Sequence, residues 1–437
     1  MDRSQGRNGY RRQFVEALSE LFPPGIFAQF ARHGNAEWTP QKVLWVSLLM
    51  NWLPGATLAE RFRAAQKLVK FLQLRWSVPK AFSGFVEAQQ RCWPRLWPLL
   101  CRRLRPNEEF GDAWRVMGWL VLAVDGSRFE CPRTTENEEG LQCAGREKTC
   151  PQIFQTTLQH VGTGLPWNVR LGPGTDSERR HLAQMLGELP PQSLLTADAG
   201  FISYDLCAWL SRNNHTFVLR VGGNITLLEA LGWKHEQKGK TAYLWPQDCR
   251  NQSPIVVRQL RFASPSGLPI VLVTNELDES RLSDEAMKAI YAARWGIEVY
   301  YRTFKQTWGF SQLLSRTPET VLNEQRWRFV ALWTLQWLVV KCLRTSGQTP
   351  RRFSGAQARR MIREFLQDLQ QGVSGPSLRK RLQQARTDDS KRTGPKATRK
   401  WPRKKNDQPP QPPKIRAATP AEIQKTHRLG FLLRLVC

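Results

Sequence analysis

The sequence predicts an α/β fold: a mixed sheet flanked by helices, preceded by a helical N-terminal region, interrupted by a β-rich insertion and followed by a basic C-terminal tail. Three observations carry this expectation. Residues 1 to about 112 contain no run of alternating apolar residues long enough to demand a sheet. From residue 113, apolar strand-like runs alternate with polar helical ones, the pattern of a layered α/β domain. Beyond Ser346 the composition turns basic and rich in proline. The expected segments are 1–112, 113–221, 222–281, 282–345 and 346–437.

In the first segment, PQKVLWVSLLMNW (40–52) reads as a buried helix that Pro54 and Gly55 break. Thr57-Leu58-Ala59-Glu60 has the form of a capping box opening the next helix. On that helix Leu58, Phe62, Ala65, Val69 and Leu72 share one stripe, and Arg63, Lys67 and Lys70 lie on the other side. A basic face set against a core face suits contact with DNA, as in a helix-turn-helix variant. A solvated charged face on an ordinary bundle helix gives the same pattern.

WLVLAVDGS (119–127) is an apolar run that ends at a carboxylate and a turn, as a buried strand does when it delivers a functional residue to a sheet edge. QIFQTTLQHV (152–161) and PWNVRL (166–171) follow as strands, then SERRHLAQMLGEL (177–189) as a polar helix. LLTADAGF (194–201) repeats the strand-then-aspartate pattern, and a short helix (204–213) leads to the strand TFVLRV (216–221). Two aspartates, Asp125 and Asp198, thus leave separate strands. Residues 222–281 interrupt the alternation with ITLLEAL, TAYLWP, PIVVRQLRF and LPIVLVTN, a β-rich insertion. A strong helix is expected from about Ser283 to Trp308, and a Trp-rich apolar helix over 327–343. Between Arg379 and Arg416, 14 Lys and Arg stand against 3 Asp and Glu, a net +11, among six prolines. Such a stretch has too little apolar surface to order itself and is expected to be a mobile basic arm.

Composition restricts the function classes. The chain has 437 residues with 65 Lys and Arg against 37 Asp and Glu, a formal charge of +28. That excess calls for a polyanionic partner, nucleic acid or an acidic membrane face. The longest mostly apolar stretch, Phe329 to Val340, is 12 residues interrupted by Thr334 and Gln336, too short to cross a bilayer. The N-terminus lacks the apolar core of a secretory signal, so a cytoplasmic, nucleoid-associated protein with no membrane partner is expected. Nine cysteines with no C-x-x-C pair suit a reducing compartment, and Cys131, Cys143, Cys150 and His160 do not have zinc-finger spacing.

The chemistry concentrates in YAARWGIEVYYRTFK. Tyr291, Arg294, Glu298 and Lys305 stand at i, i+3, i+7 and i+14. At 100° per residue they fall within a sector of roughly 60°. One carboxylate, two cations and a phenol on a single face pack poorly and hold phosphate beside a metal well. The carboxylate can ligate Mg²⁺, the cations neutralise phosphate, and the phenol donates or stacks. A solvent-exposed helix with an Arg294–Glu298 surface pair reads the same way in isolation. Asp125 (in DGS) and Asp198 (in DAGF) add two carboxylates from separate strands. Two Asp and one Glu make the ligand set for two Mg²⁺ ions about 4 Å apart. His160 and His181 suit structural or phosphate-contacting roles better than catalysis, and Arg179 and Arg180 open a polar helix that either touches DNA or is simply solvated.

These three motifs, in this order, resemble the DDE transposases of insertion sequences, in the insertion-sequence-four-like family whose catalytic helix reads YxxRxxxExxxxxxK. Tyr291, Arg294, Glu298 and Lys305 match that spacing, Asp125-Gly126-Ser127 the first acid motif, and Asp198-Ala199-Gly200-Phe201 the second. The resemblance implies a ribonuclease-H-like catalytic core split by the insertion, with 100 residues from second acid to third. It implies a transposase that binds two Mg²⁺ (or Mn²⁺) through Asp125, Asp198 and Glu298. Tyr291, Arg294 and Lys305 would grip terminal phosphates, and a tryptophan of the insertion, Trp233 or Trp245, would hold a flipped base. It further implies double-stranded DNA as partner, at terminal inverted repeats and target sites, and a homodimer in a synaptic complex. Two other classes stay open on the residues alone: a DNA-binding protein that no longer cuts, and a nuclease that cuts without joining.

Overall fold

The computed structural model describes residues 3–30, 37–72, 76–144, 150–264, 267–373, 375–387 and 411–434. In chain order, α1 (Arg3–Leu21), α2 (Pro40–Trp52), α3 (Leu58–Phe71) and α4 (Phe82–Leu104) precede β1 (Val121–Glu130), α5 (Thr135–Leu141), β2 (Gln152–His160) and β3 (Pro166–Pro173). Then come α6 (Glu178–Met185), β4 (Leu194–Ala197), α7 (Tyr204–Arg212), β5 (Thr216–Arg220), β6 (Thr226–Glu229), β7 (Thr241–Leu244), β8 (Ile255–Ala263) and β9 (Pro269–Thr274). The chain continues through α8 (Asp284–Ala293), α9 (Trp295–Arg302), a π-turn (Thr303–Thr307), α10 (Pro318–Thr345), α11 (Gly355–Gln371), α12 (Leu378–Gln383), β10 (Lys414–Ala417) and α13 (Pro420–Leu429). The result is a mixed α/β structure. Two compact units are assembled from interleaved stretches, the first from Met1–Trp114, Gly126–Asp176 and Glu298–Thr387, the second from Arg115–Asp125, Ser177–Ile297 and Asp388–Cys437.

The first unit is built on two helices that are apolar nearly all round and therefore central. Every residue of α2 from Val43 to Trp52 is buried, and most of α10 is too, including Trp327, Phe329 and Trp333. The Trp52 indole donates to the Ala331 carbonyl at 3.0 Å, tying one helix to the other. Thr57 and Glu60 form the expected capping box of α3. Phe62, Ala65, Val69 and Leu72 are buried, while Arg63, Lys67 and Lys70 are exposed. Leu58 departs from the expected stripe, being only half-buried at the first turn. β2 and β3 pair antiparallel from Ile153↔Pro173 to Gln159↔Pro166. His160 ends β2 fully buried, bonded to Thr163 Oγ1 at 2.9 Å and the Trp114 carbonyl at 3.0 Å. Burial pushes its imidazole down to about 4, so it is a structural, neutral histidine.

In the second unit the strand order is β10-β6-β7-β8-β9-β5-β4-β1. β1, β4 and β5 run parallel, β9 returns antiparallel to β5, and β6 to β9 continue as an antiparallel meander. The stretch expected as a β-rich insertion interrupting the alternation of strand and helix continues the sheet here, because β9 finds the free edge of β5.

Four expectations are corrected. The strand carrying Asp125 does not turn there. It runs on to Glu130, because Phe129 beyond it is fully buried against Tyr301 and Phe304. The helix expected over 283–308 breaks at Arg294 and ends in the π-turn. There Thr303 meets Gly355 of α11, where any Cβ would lie 2.1 Å from the threonine methyl. The apolar helix expected at 327 begins nine residues earlier, capped by Thr317. The basic arm expected over 379–416 is ordered at both ends. α12 occupies its start, and β10 pairs in parallel with β6 from Lys414↔Thr226 to Ala417↔Glu229. A sheet edge supplies the backbone partners that the arm's own sequence lacks. The remainder of that expectation, 388–410, lies outside the described residues. α5 was not anticipated at all.

The tail closes on buried charge. Arg434 pairs with Glu276 at 2.9 Å, both side chains 6% exposed, while Arg281 stands 3.6 Å from the same carboxylate. Arg434→Met should cost about 3 kcal/mol, the low end for breaking a buried pair because Arg281 remains, and should lower the urea midpoint at unchanged slope. His160 gives a pH signature of its own. Its folded pKa lies below its ordinary value, so its contribution is full above about pH 6.5 and is lost as pH falls toward 4, by at most about 1.4 kcal/mol per unit. Urea midpoints across that range should fall less steeply in His160→Asn than in the parent.

Candidate active site

Register places the first two acids. β1 pairs in parallel with β4 as Val121↔Leu194, Leu122↔Leu195 and Ala123↔Thr196. Two residues further along each chain, Asp125 stands level with Asp198, on strands about 4.8 Å apart. Val121 to Val124 and Leu194 to Ala197 are buried, so the carboxylates come where the apolar run stops. β5 extends the row: Ala197 pairs with Leu219, which sets Arg220 level with Asp198.

Asp198 gathers three polar contacts. Its Oδ1 accepts from the Ala199 amide at 2.9 Å and from the Tyr291 hydroxyl at 3.1 Å, and stands 3.5 Å from Arg220 Nη1. The turn that follows is closed by the Phe201 amide bonding back to the Asp198 carbonyl at 3.1 Å. Arg179 donates to the Gly200 carbonyl at 2.8 Å, so this arginine holds the turn. Burial and the Asp198 charge raise the Tyr291 pKa, so its hydroxyl stays a donor. Arg294, buried, lies over the Tyr291 ring with Cζ 5.3 Å from the centroid. Asp125, Asp198, Tyr291 and Arg294 are therefore gathered in the second unit, with Arg220 added.

Glu298 and Lys305 belong to the first unit. Glu298 is half-buried in the first turn of α9. Lys305 sits in the π-turn, its Nζ 4.8 Å from the centroid of Phe129. A π-turn advances less than 100° per residue, so Lys305 leaves the ideal sector from which it was read.

The insertion tryptophans differ. Trp245 is fully buried, its indole donating to the carbonyls of Gln252 at 2.8 Å and Cys249 at 3.1 Å, with Arg250 4.4 Å above the ring. Here it packs as a core residue. Trp233 is half-buried in the β6–β7 connection. The exposed ring is Trp295, at 58%, directly after Arg294. Sequence reading missed it and Arg220; counting from Asp198 along the next parallel strand would have found the arginine. His181 is 2% exposed.

Asp125 and Asp198 supply hard oxygen donors side by side, the set suited to Mg²⁺ or Mn²⁺. Among the described residues, no three His, Cys, Asp or Glu side chains group closely enough to hold a metal by themselves. No described helix is long and apolar enough to cross a membrane.

Residues 119–334 match the transposase DDE domain. Over 269 residues the chain is 26% identical to the transposase InsG for insertion sequence element IS4 of Escherichia coli (strain K12), covering 59% of this chain and 61% of that protein. Over 154 residues it is 26% identical to a probable transposase for insertion sequence element IS5377 of Geobacillus stearothermophilus, covering 34% and 40%. The matches thus span about three fifths and two fifths of these relatives' lengths. A cryo-EM structure of the piggyBac transposase synaptic complex with hairpin DNA aligns over 90% of this chain and 79% of its own, at 12% identity and a TM-score of 0.40. The matched domain carries both aligned aspartates and the glutamate-bearing helix, and the relatives are insertion-sequence transposases: the chain belongs to the DDE transposases of the IS4 type.

Proposed function

We propose that this protein moves an insertion sequence by cut-and-paste transposition, cleaving DNA at terminal inverted repeats and joining the freed 3′ ends to target DNA, on a ribonuclease-H-like core. The observation that carries the proposal is the level placement of Asp125 and Asp198 with Tyr291 hydrogen-bonded to the second. In this reading Asp125, Asp198 and Glu298 hold two Mg²⁺ or Mn²⁺ ions. When bound, such ions activate the attacking oxygen and neutralise the leaving one.

The chain's own residues orient and neutralise. Tyr291 donates to Asp198 and fixes the rotation of that carboxylate, and Arg294 over the phenol keeps the ring in place. Arg220 offsets the repulsion between neighbouring carboxylates and has further donors for a phosphate oxygen. Lys305 adds a second cation for the terminal phosphates. Trp295, rather than Trp245, offers an exposed ring on which an unstacked base can lie, with Trp233 second in exposure. Arg63, Lys67 and Lys70 give α3 a phosphate-contacting face, and coordinated cutting of two ends calls for a homodimer bridging them in a synaptic complex.

Asp125→Asn, Asp198→Asn and Glu298→Gln should each reduce Mg²⁺-dependent nicking of end DNA by about a thousandfold, the several kcal/mol a metal supplies, with duplex binding retained. Undiminished nicking in Glu298→Gln would remove Glu298 from the ligand set. Tyr291→Phe loses only one hydrogen bond to a charged group. It should slow nicking about tenfold to a hundredfold and leave the dissociation constant for DNA within about twofold, as read by single-turnover cleavage beside a binding titration.

A further inference from the structure

Three arginines of the first unit stand outside every role assigned so far. Arg61 lies on α3, and Arg359 and Arg363 lie one turn apart on α11. Each is held by a backbone carbonyl. Arg61 Nε donates to Gly55 at 2.8 Å and Arg363 Nε to Trp52 at 3.0 Å, so both lean on the end of α2 and the turn after it. Arg359 Nη1 donates to Thr307, the last residue of the π-turn that carries Lys305. The Arg61 stem lies flat on that first turn: a Cβ on Gly55 would fall 2.8 Å from its Cγ. All three side chains are half-buried.

What they lack is a direct ion-pair partner. Among the described residues, no carboxylate forms an ion pair with any of the three. The two acids that bear on Arg61 are committed elsewhere. Glu60 accepts from the amides of Ala56 and Thr57, and Glu324 pairs with buried Arg328 and accepts from Leu314 and Ser315. Burial, then the like charges of Arg359 and Arg61, brings the Arg363 guanidinium down to about 10. The fully buried Arg328 faces an acid, Glu324, whereas these three half-buried guanidinium groups do not. Here three planar forks have their stems fixed by carbonyls and donors to spare, an arrangement suited to the oxygens of a phosphate.

We propose that Arg61, Arg359 and Arg363 form a clamp for the phosphate backbone of duplex DNA. The inference rests on the DNA-processing reading above and extends its footprint. Arg61 lies two residues from Arg63 on the basic helix, and Arg359 grips the turn of Lys305, so the clamp joins those two cationic regions within one unit.

The test uses the full-length protein and its Arg61→Gln, Arg359→Gln and Arg363→Gln variants. Dissociation constants are measured across a salt series, for an end duplex and an unrelated duplex of equal length. Each variant should lower the slope of log affinity against log salt by about 0.9, on both duplexes alike. Unchanged slopes overturn the proposal. Melting temperatures without DNA guard against a folding artefact. Arg363→Gln should melt no lower than the parent, since it removes one of three repelling charges and its amide can still donate to Trp52. A fall of several degrees with an unchanged slope makes the trio a bracket between helices and overturns the clamp. Inorganic phosphate at constant ionic strength separates the two sources of the anion. Phosphate protection that the triple variant loses, alongside unchanged DNA slopes, assigns a small-anion site and overturns the DNA reading. Binding slopes are independent of cutting: reduced slopes in a protein that never nicks would sink the transposition reading alone, and nicking with unchanged slopes would sink the clamp alone.

Discussion

Parallel pairing of β1 with β4 is the constraint from which the site follows. Side chains alternate along a strand, so a slip of one residue would turn Asp125 to the opposite face from Asp198. The register is held by burial, since Val121 to Val124 and Leu194 to Ala197 are all buried on both faces and a slip would draw the half-buried Asp125 or Asp198 into that apolar layer. Apolar packing thereby sets where two like charges stand. Their repulsion is offset locally by Arg220 on the next strand and by the Tyr291 hydroxyl, with Arg294 behind it. The second unit brings a pair of carboxylates together, and the third acid follows further along the chain, in the first turn of α9.

Among the described residues, several arginines are held in two physically different ways. Some arginines are buried against acids: Arg258 pairs with Asp284 at 2.8 Å, Arg434 with Glu276, and Arg328 with Glu324. Removing one partner there strands a charge, so these pairs hold the fold. Others, among them Arg179, Arg61 and Arg363, lean on backbone carbonyls. A carbonyl fixes the stem without cancelling the charge, which leaves the guanidinium available to an anion.

The C-terminal segment shows how context overrides composition. Lys414 to Ala417 has no apolar run of its own, yet it pairs with β6 and leads to α13, where Glu422 meets both Arg416 at 2.7 Å and Arg250 at 2.9 Å. The Arg416 hydrogen bond, then its amide contacts and the two guanidinium charges, hold the Glu422 carboxyl down to about 2. Leu432 adds a bridge to Ile255.

Much of this was legible in one dimension. The strand before Asp198, the capping box at Thr57, the buried helix at 40–52 and the exposed basic face of α3 all follow from periodicity and local capping chemistry, which depend on near neighbours in the chain. The three acid motifs and their order were visible for the same reason. What stayed hidden depends on distant partners. The extension of β1 past Asp125 needs Phe129 to meet Tyr301 and Phe304, and the π-turn needs Gly355 to make room for Thr303. The burial of Trp245, the row that includes Arg220 and the trio Arg61, Arg359 and Arg363 are likewise products of long-range contact. Sequence alone determined which residues could do chemistry on phosphate; only tertiary structure decided which of them stand together, because register and packing join segments that no local pattern connects.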